Sequence, residues 1–308
     1  MNIIRTILAV AVIMEEMDGF ELCGKIKSNI NISHVPVILL TATPPAKAES
    51  PEKRKTTSLL LGVGHTNILD TYLSPEKYNG INLTLVSHTM RENASSWART
   101  IHHEGNIAFA DNRSGNGGEM AGSYTFRYGV LHKWRLGIGR RTLRVMAGGA
   151  VNTNLGFVYN TRNGNNPANA RLSLDIGPAV AFDLPLGAPG HFRGVSISPG
   201  DCAHYPAVIR YEASAPLAGL MFSPNYGQTY YEIFTQGNYD HNVVPTTIGS
   251  TPSFRQMLTV DFRLARTTWR IGYLGTIEQA HVNNLKQHTY THSLVIGFVK
   301  KFNWKPIR

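Results

Sequence analysis

The stretch Gln287-His288-Thr289-Tyr290-Thr291-His292-Ser293-Leu294-Val295-Ile296-Gly297-Phe298-Val299-Lys300-Lys301-Phe302 decides the fold. Its even positions include Tyr290, Leu294, Ile296, Phe298 and Phe302; its odd positions include Gln287, Thr289, Thr291, Ser293, Val295, Gly297 and Val299. Side chains alternate across a strand, so this pattern reads as a strand with one greasy, aromatic face and one small or hydroxylated face. The same separation recurs upstream. Phe254, Leu258, Val260, Phe262 and Leu264 oppose Arg255, Thr259, Asp261 and Arg263, and Trp269, Ile271, Tyr273 and Ile277 oppose Arg270, Thr276 and Glu278. Tyr124, Phe126, Tyr128, Val130, Trp134 and Leu136 oppose Ser123, Thr125, Arg127, Lys133 and Arg135. Leu143 through Tyr159 alternates likewise, with Arg144, Asn152 and Asn154 on the polar side.

Strand length separates a soluble sandwich from a membrane barrel. Strands of soluble proteins run about 5–6 residues, whereas a tilted strand needs about 9–11 to cross a bilayer. The candidates here lie near 57–65, 80–91, 99–111, 120–136, 141–159, 170–184, 206–218, 228–236, 253–265, 267–281 and 286–302, and most exceed the soluble length. Aromatics cluster at strand ends, as interfacial girdles do. Composition points the same way. Of 308 residues only 16% are charged, against roughly 25% in soluble domains. Hydrophobic residues make up 42%, mean hydropathy is −0.16, and no apolar run approaches the ~20 residues of a membrane helix. The chain also has 13 Tyr, 12 Phe and 4 Trp, which excludes disorder as its general state. The expected fold is all-β, an antiparallel up-and-down transmembrane β-barrel preceded by a short segment outside the barrel.

Connections bear on the strand count. The candidate strands are odd in number, whereas single-chain bacterial barrels are even. The tight links Gly137-Ile138-Gly139-Arg140 and Arg266-Thr267 should both be periplasmic. An added strand near His191 to Ser198 restores parity and puts 112–119, 160–169 and 237–252 outside, with 185–190 a short inner turn. About 12 strands are expected, with about 10 as the alternative.

Particular motifs carry a family resemblance. They are Asp70-Thr71-Tyr72-Leu73-Ser74-Pro75 with Tyr78 and Gly80, Gly164-Asn165-Asn166-Pro167-Ala168, and Leu220-Met221-Phe222-Ser223-Pro224 continuing through Tyr226-Gly227-Gln228-Thr229-Tyr230-Tyr231-Glu232-Ile233-Phe234. The ending from Val282-Asn283-Asn284-Leu285 to Lys300 completes the set. On these residues most of 57–302 resembles an uncharacterised family of Bacteroidales outer-membrane β-barrels, a domain of unknown function; 186–205 matches poorly. The resemblance implies architecture and location and supplies no reaction or substrate.

Residues 1–50 differ in character. Met17-Asp18-Gly19-Phe20-Glu21-Leu22-Cys23, Lys25-Ile26-Lys27-Ser28 and His34-Val35-Pro36-Val37-Ile38-Leu39-Leu40-Thr41-Ala42 resemble the middle of a response-regulator receiver domain, over 11–43. Phosphotransfer in that family needs an acceptor Asp, where Ala11 falls, and a Lys, where Thr43 falls; of the family's functional positions only Thr41 matches. The other reading is export. Lys25 and Lys27 precede the apolar stretch Val35 to Ala42, and Ala46-Lys47-Ala48 has the small residues of a signal-peptidase site. A weaker signal is Ile7 to Met14 behind Arg5, with Ala9 and Ala11 as its small residues. Cleavage after Ala48 is expected. The organisation is then 1–48 leader with a truncated receiver-like fragment, 49–56 linker, 57–302 barrel and 303–308 tail.

Candidate chemistry is sparse. Cys23 and Cys202 form no CxxC pair, so neither a zinc site nor a disulfide framework is supported. His102 and His103 are adjacent and point to opposite faces; His288 and His292 share the outward face with Tyr290. Ser87 and His88 also fall on opposite faces, which opposes a lipid-hydrolase dyad, and Asp201 and His204 read as loop polarity. Gly115-Asn116-Gly117-Gly118 is turn-forming and lacks the Lys of a phosphate loop. No catalytic residue, metal or cofactor is expected, and no nucleic-acid partner. The +10 net charge, 30 Lys and Arg against 20 Asp and Glu, is assigned to the inner face. There Arg127, Lys133, Arg135, Arg144, Arg210, Arg255, Arg263 and Arg270 meet Asp175, Glu212, Asp261 and Glu278. Such groups form either a salt-bridge lattice filling the lumen or a narrow anion-favouring pore or binding barrel. The expected function is a non-enzymatic barrel in the outer membrane of a Gram-negative bacterium. Its partners are membrane lipid and, during assembly, the barrel-insertion machinery, for which Phe302 near the last strand's end is a fitting aromatic signal. A phosphorelay protein and a barrel lipid hydrolase are the alternatives.

Overall fold

The alternating stretch 287–302 lies within β14 (Leu285–Trp304), which bonds to β3 (Lys53–Asp70) on one side and β13 (Thr267–Val282) on the other. The structure, a computed structural model, describes residues 8–11, 28, 37–40, 53–93, 95–138, 141–186, 207–264 and 267–304. From β3 the antiparallel sheet continues through β4 (Ser74–Glu92), β5 (Trp97–Asn112), β6 (Gly118–Ile138), β7 (Arg141–Asn160) and β8 (Ala168–Leu186). β8 pairs with β9 (Ala207–Ser214), β9 with β12 (Phe254–Leu264) and β12 with β13, so a ring of ten strands closes on itself. Where the ring closes, no strand edge is left free. Two further strands, β10 (Ala218–Phe222) and β11 (Val243–Thr247), form a hairpin with β10 paired to β8. The closed ring thus takes the ten-strand alternative, and the hairpin brings the sheet to twelve.

Parity is achieved by losing a strand. Residues 228–236, expected as a strand, instead hold the short helix α1 (Tyr230–Phe234). Thr229 caps it: its hydroxyl accepts from the Glu232 amide, while the Glu232 carboxylate accepts from the Thr229 amide. This capping box satisfies two amides that the helix would otherwise leave open. With that strand gone, the connections after Ile138 and Leu264 fall at one end of the barrel, with the first and last residues of the ring; 113–117, 161–167 and 215–253 fall at the other. These ends are termed lower and upper. The extra strand anticipated near His191 to Ser198 and the cleavage site at Ala46 and Ala48 lie outside the described residues, as does the inner turn expected over 185–190 save for Pro185 and Leu186, which belong to β8. In the N-terminal unit, β1 (Leu8–Ala11) and β2 (Val37–Leu40) pair in parallel.

Local chemistry explains several joints. β13 and β14 meet in a two-residue turn, Asn283-Asn284, both with positive φ (52° and 62°). Hairpin turns of this type need left-handed backbone at both positions, which asparagine tolerates. On β14 the inner face is small for a reason. A Cβ at Gly297 would sit 1.9 Å from the Leu59 carbonyl oxygen, so only glycine allows this close approach.

Outward residues form an apolar belt. Leu294, Val63, Leu83 and Ile107 stand opposite one another on four consecutive strands. Their exposures are 70%, 57%, 51% and 53%. Rows above and below continue it with Leu61, Leu85, Ile296, Phe109, Phe157 and Leu172. Inside, the wall is small or flexible: Ala98, Leu131, Met146, Ala150, Ala179 and Ala181 cluster toward the lower end, and Ile68, Tyr78, Ala108, Ala121 and Val158 toward the upper.

Candidate functional site: a charged lumen and the cavity above it

About eight strands already fill their interior with side chains; ten leave a wider centre, which here long ionised side chains occupy. Lowest stands a knot around Asp183, which is 0% exposed. Arg144 donates Nε to Asp183 at 2.9 Å and bonds it again through Nη2, while its Nη1 donates to both oxygens of Glu92 at 2.9 and 3.1 Å. Arg210 donates Nε and Nη2 to the same aspartate at 2.7 and 3.1 Å. Lys133 Nζ approaches Glu92 at 3.8 Å. Beside them Arg270 makes a bidentate pair with Asp261, 2.6 and 2.8 Å, and donates Nη1 to Ser58 at 3.1 Å. Burying such charges is tolerable only when geometry and hydrogen bonding are this complete.

Toward the barrel's middle, His88 and His102, cross-strand partners on β4 and β5, stack with ring centroids 4.0 Å apart and planes 10° apart. Glu212 faces both, 3.6 Å from His88 Nδ1 and 3.5 Å from His102 Nε2. These three residues are of ligand type and could hold a divalent cation. Against that, the two rings stack on each other, and Arg210 Nη1 lies 4.0 Å from Glu212. A cation would share the space with a guanidinium. Further up, Arg255 Nε donates to Glu104 at 2.7 Å and Arg127 Nε to Asn152.

Above these pairs lies a cavity of about 110 Å³, lined by Arg127, Asn154, Arg171, Asp175, Arg255, Thr276, Glu278 and Gln287 among others. Five buried polar atoms of that lining have no protein partner: Asn154 Oδ1, Arg171 Nε, Arg255 Nη2, Thr276 Oγ1 and Gln287 Oε1. Buried groups of this kind are normally satisfied, so the cavity presents cationic donors and amide acceptors to whatever enters it. The wall changes partner here. Below Ser214, β9 lies between β8 and β12; above it, β10 takes the edge of β8 and pairs with β11 instead.

The loop 215–253 is tied across the upper end. Tyr230 Oη donates to Asn169 Oδ1 at 2.6 Å and accepts from the Ala170 amide at 2.7 Å, and Tyr72 Oη donates to the Gln228 carbonyl at 2.9 Å. Burial pushes the Tyr72 hydroxyl up to about 12 and the Tyr230 hydroxyl further, with nearby Asp70 adding to both. Both remain neutral donors. Asn169 and Arg171 in turn hold Asp70 at 2.8 and 3.1 Å.

The sequence expectations map onto this site unevenly. Arg127, Arg144, Arg210, Glu212, Arg255, Asp261 and Arg270 are buried inside, while Lys133, Asp175 and Glu278 are half-buried there. Arg135 and Arg263 keep inward parity but are exposed, at the lower ends of their strands. Alternation missed their partners Glu92, Glu104 and Asp183 and the pair His88 and His102, although the same alternation marks all five as inward. Ser87 is outward and His88 fully buried, so the two sit on opposite sides of the wall. His288 and His292 bond outward partners, Asn67 Oδ1 at 2.7 Å and Tyr273 Oη at 2.5 Å.

One expectation is corrected. The positive excess does not reside in the lumen, because each inward guanidinium of the lower knot faces a carboxylate and the lining adds Asp175 and Glu278. Among the described residues, cations gather instead toward the lower rim, with exposed Arg91, Arg99, Arg135, Arg141, Arg263 and Lys300.

Among solved structures, the translocator domain of autotransporter NalP from Neisseria meningitidis is 9% identical, with a TM-score of 0.31, covering 80% of this chain and 88% of that one. The transport unit of autotransporter AIDA-I from Escherichia coli is 7% identical, TM-score 0.28, covering 83% and 92%. Ail, the attachment invasion locus protein of Yersinia pestis, is 10% identical, TM-score 0.21, covering 80% and 99%. Likeness this distant says nothing of activity. A comparison with curated proteins finds no match. The family model described as "Protein of unknown function (DUF3316)" matches residues 34–306, and with the whole barrel inside that match, the chain belongs to the DUF3316 family.

Proposed function

We propose that this is an outer-membrane β-barrel of a Gram-negative bacterium, closed in its lower half by ion pairs and binding a small polar solute in the cavity above them. The observation that carries the membrane reading is the belt: aligned leucine, isoleucine and valine side chains half or more exposed on consecutive strands. Soluble monomers rarely expose contiguous apolar patches beyond a few hundred Å², whereas lipid-facing strands require them. An even strand number brings both ring ends to the lower end, which this reading assigns to the periplasm. Export through a leader ending at Ala48 accords with this, and barrel-insertion machinery would assemble the protein in lipid. The Bacteroidales kinship rests on the sequence motifs alone. Residues 11–43 remain a receiver-like fragment without the acceptor Asp or the Lys, so phosphotransfer lacks its chemical groups.

Supporting a binding barrel over an anion pore is the balance of charge inside, together with the Arg144–Asp183–Arg210 knot across the lower lumen. A ring of unopposed cations selects anions; paired ones do not. The solute suited to the cavity carries an anionic group for Arg171 and Arg255 and hydroxyl or amine donors for Asn154 and Gln287. Planar-bilayer recording of the refolded protein tests closure. No stepwise conductance is expected; sustained anion-selective steps would overturn it.

A further inference from the structure

Lys55, Arg91 and Arg99 occupy one row on three neighbouring strands, Lys55 opposite Arg91 and Arg91 opposite Arg99. All three share the outward parity of Leu59, Leu85 and Ile107, at the lower margin of the belt. Like charges directly opposite across strands are destabilising. The nearest carboxylate in sequence, Glu92, has the opposite parity and is buried against Arg144. None of the three has an acidic partner among the described residues. Aromatics flank the row: Phe302 stands opposite Lys55, and Trp97, next but one to Arg99, packs edge-on against His132 at 5.0 Å. Lys300, itself exposed like Arg91 and Arg99, adds a fourth cation one row higher on β14, while Lys55 is half-buried.

We infer that this row is a headgroup site for anionic glycerophospholipid in the periplasmic leaflet. The inference rests on the membrane reading above and adds the lipid class that the lower rim selects. The guanidinium fork matches phosphate oxygens in pairs, and the flanking rings sit where interfacial aromatics meet acyl chains. A phosphodiester there would replace the missing counter-charge, with its tails lying along the belt. Zwitterionic lipid supplies the same phosphate but cancels it with an ammonium, so the row discriminates by net charge.

The test reconstitutes the full chain in vesicles of equal phosphatidylglycerol and phosphatidylcholine, extracts it, and counts retained lipid by native mass spectrometry. Wild type should retain phosphatidylglycerol roughly tenfold over phosphatidylcholine. The K55Q/R91Q/R99Q variant should retain both equally, while K77Q/K286Q at the upper rim should behave as wild type. In zwitterionic detergent the triple variant should be at least as heat-resistant as wild type, because only repulsion has been removed. Equal retention by inserted wild type, an unchanged preference in the triple variant, or the same loss at the upper rim would overturn the inference alone. Failure of wild type to enter vesicles would overturn the membrane reading and this inference with it.

Discussion

Replacing Asp183 with alanine is expected to lower the unfolding free energy by about 3–5 kcal/mol. This carboxylate is fully buried and receives hydrogen bonds from both Arg144 and Arg210. Without it Arg144 keeps Glu92, but Arg210 is left with Glu212 at 4.0 Å as its nearest carboxylate, and two buried guanidiniums face each other across the lower lumen. An unpaired buried charge costs far more than the pair contributes, so the effect should exceed that of any surface charge. Asp240 is the control, since its pair with His241 is exposed, and its removal should change stability by no more than about 0.5 kcal/mol. Urea titration of the folded band in micelles measures both. Equal midpoints for the two variants would mean that the lumen is wet and the knot dispensable.

A second large effect is expected on the other side of the wall. Leu83 lies near the middle of β4, outward and 51% exposed, with Val63 and Ile107 as its cross-strand neighbours. In a bilayer, Leu83→Arg at this depth should cost about 2–4 kcal/mol. On a water-facing sheet an exposed Leu→Arg change would fall within about 0.5 kcal/mol. The substitution therefore reads the solvent directly. Refolding yield in vesicles should drop with Leu83→Arg and recover with Leu83→Ile; an unaffected yield would place that face in water.

The belt was legible in the sequence because a two-residue period is local: each residue of 287–302 declares its face from its neighbours alone. Strand number was legible only in part. Tyr230-Tyr231-Glu232-Ile233-Phe234 has the aromatic and branched content of a strand, and its helical signal is only the spacing of Thr229, just before it, and Glu232 within it. Val243–Thr247, inside what reads as a long outer loop, pairs with β10 across the connection 223–242, a contact with no local mark. Lumen partners were hidden for a related reason. Alternation marks Glu92, Asp183 and Arg210 as inward, but which of them meet depends on the register and stagger of strands far apart in the chain. Charge counting then misplaced the excess, because it set eight inward cations against four carboxylates and left out Glu92, Glu104 and Asp183, which also face inward.

The most direct test of the membrane barrel is fractionation of cells expressing the full chain, followed by gel migration with and without heating. The protein should sediment with the outer membrane and run faster unheated than boiled, since a closed ring of ten strands resists detergent until heat opens it. Recovery in the soluble fraction with one band under both conditions would contradict the architecture proposed for lipid.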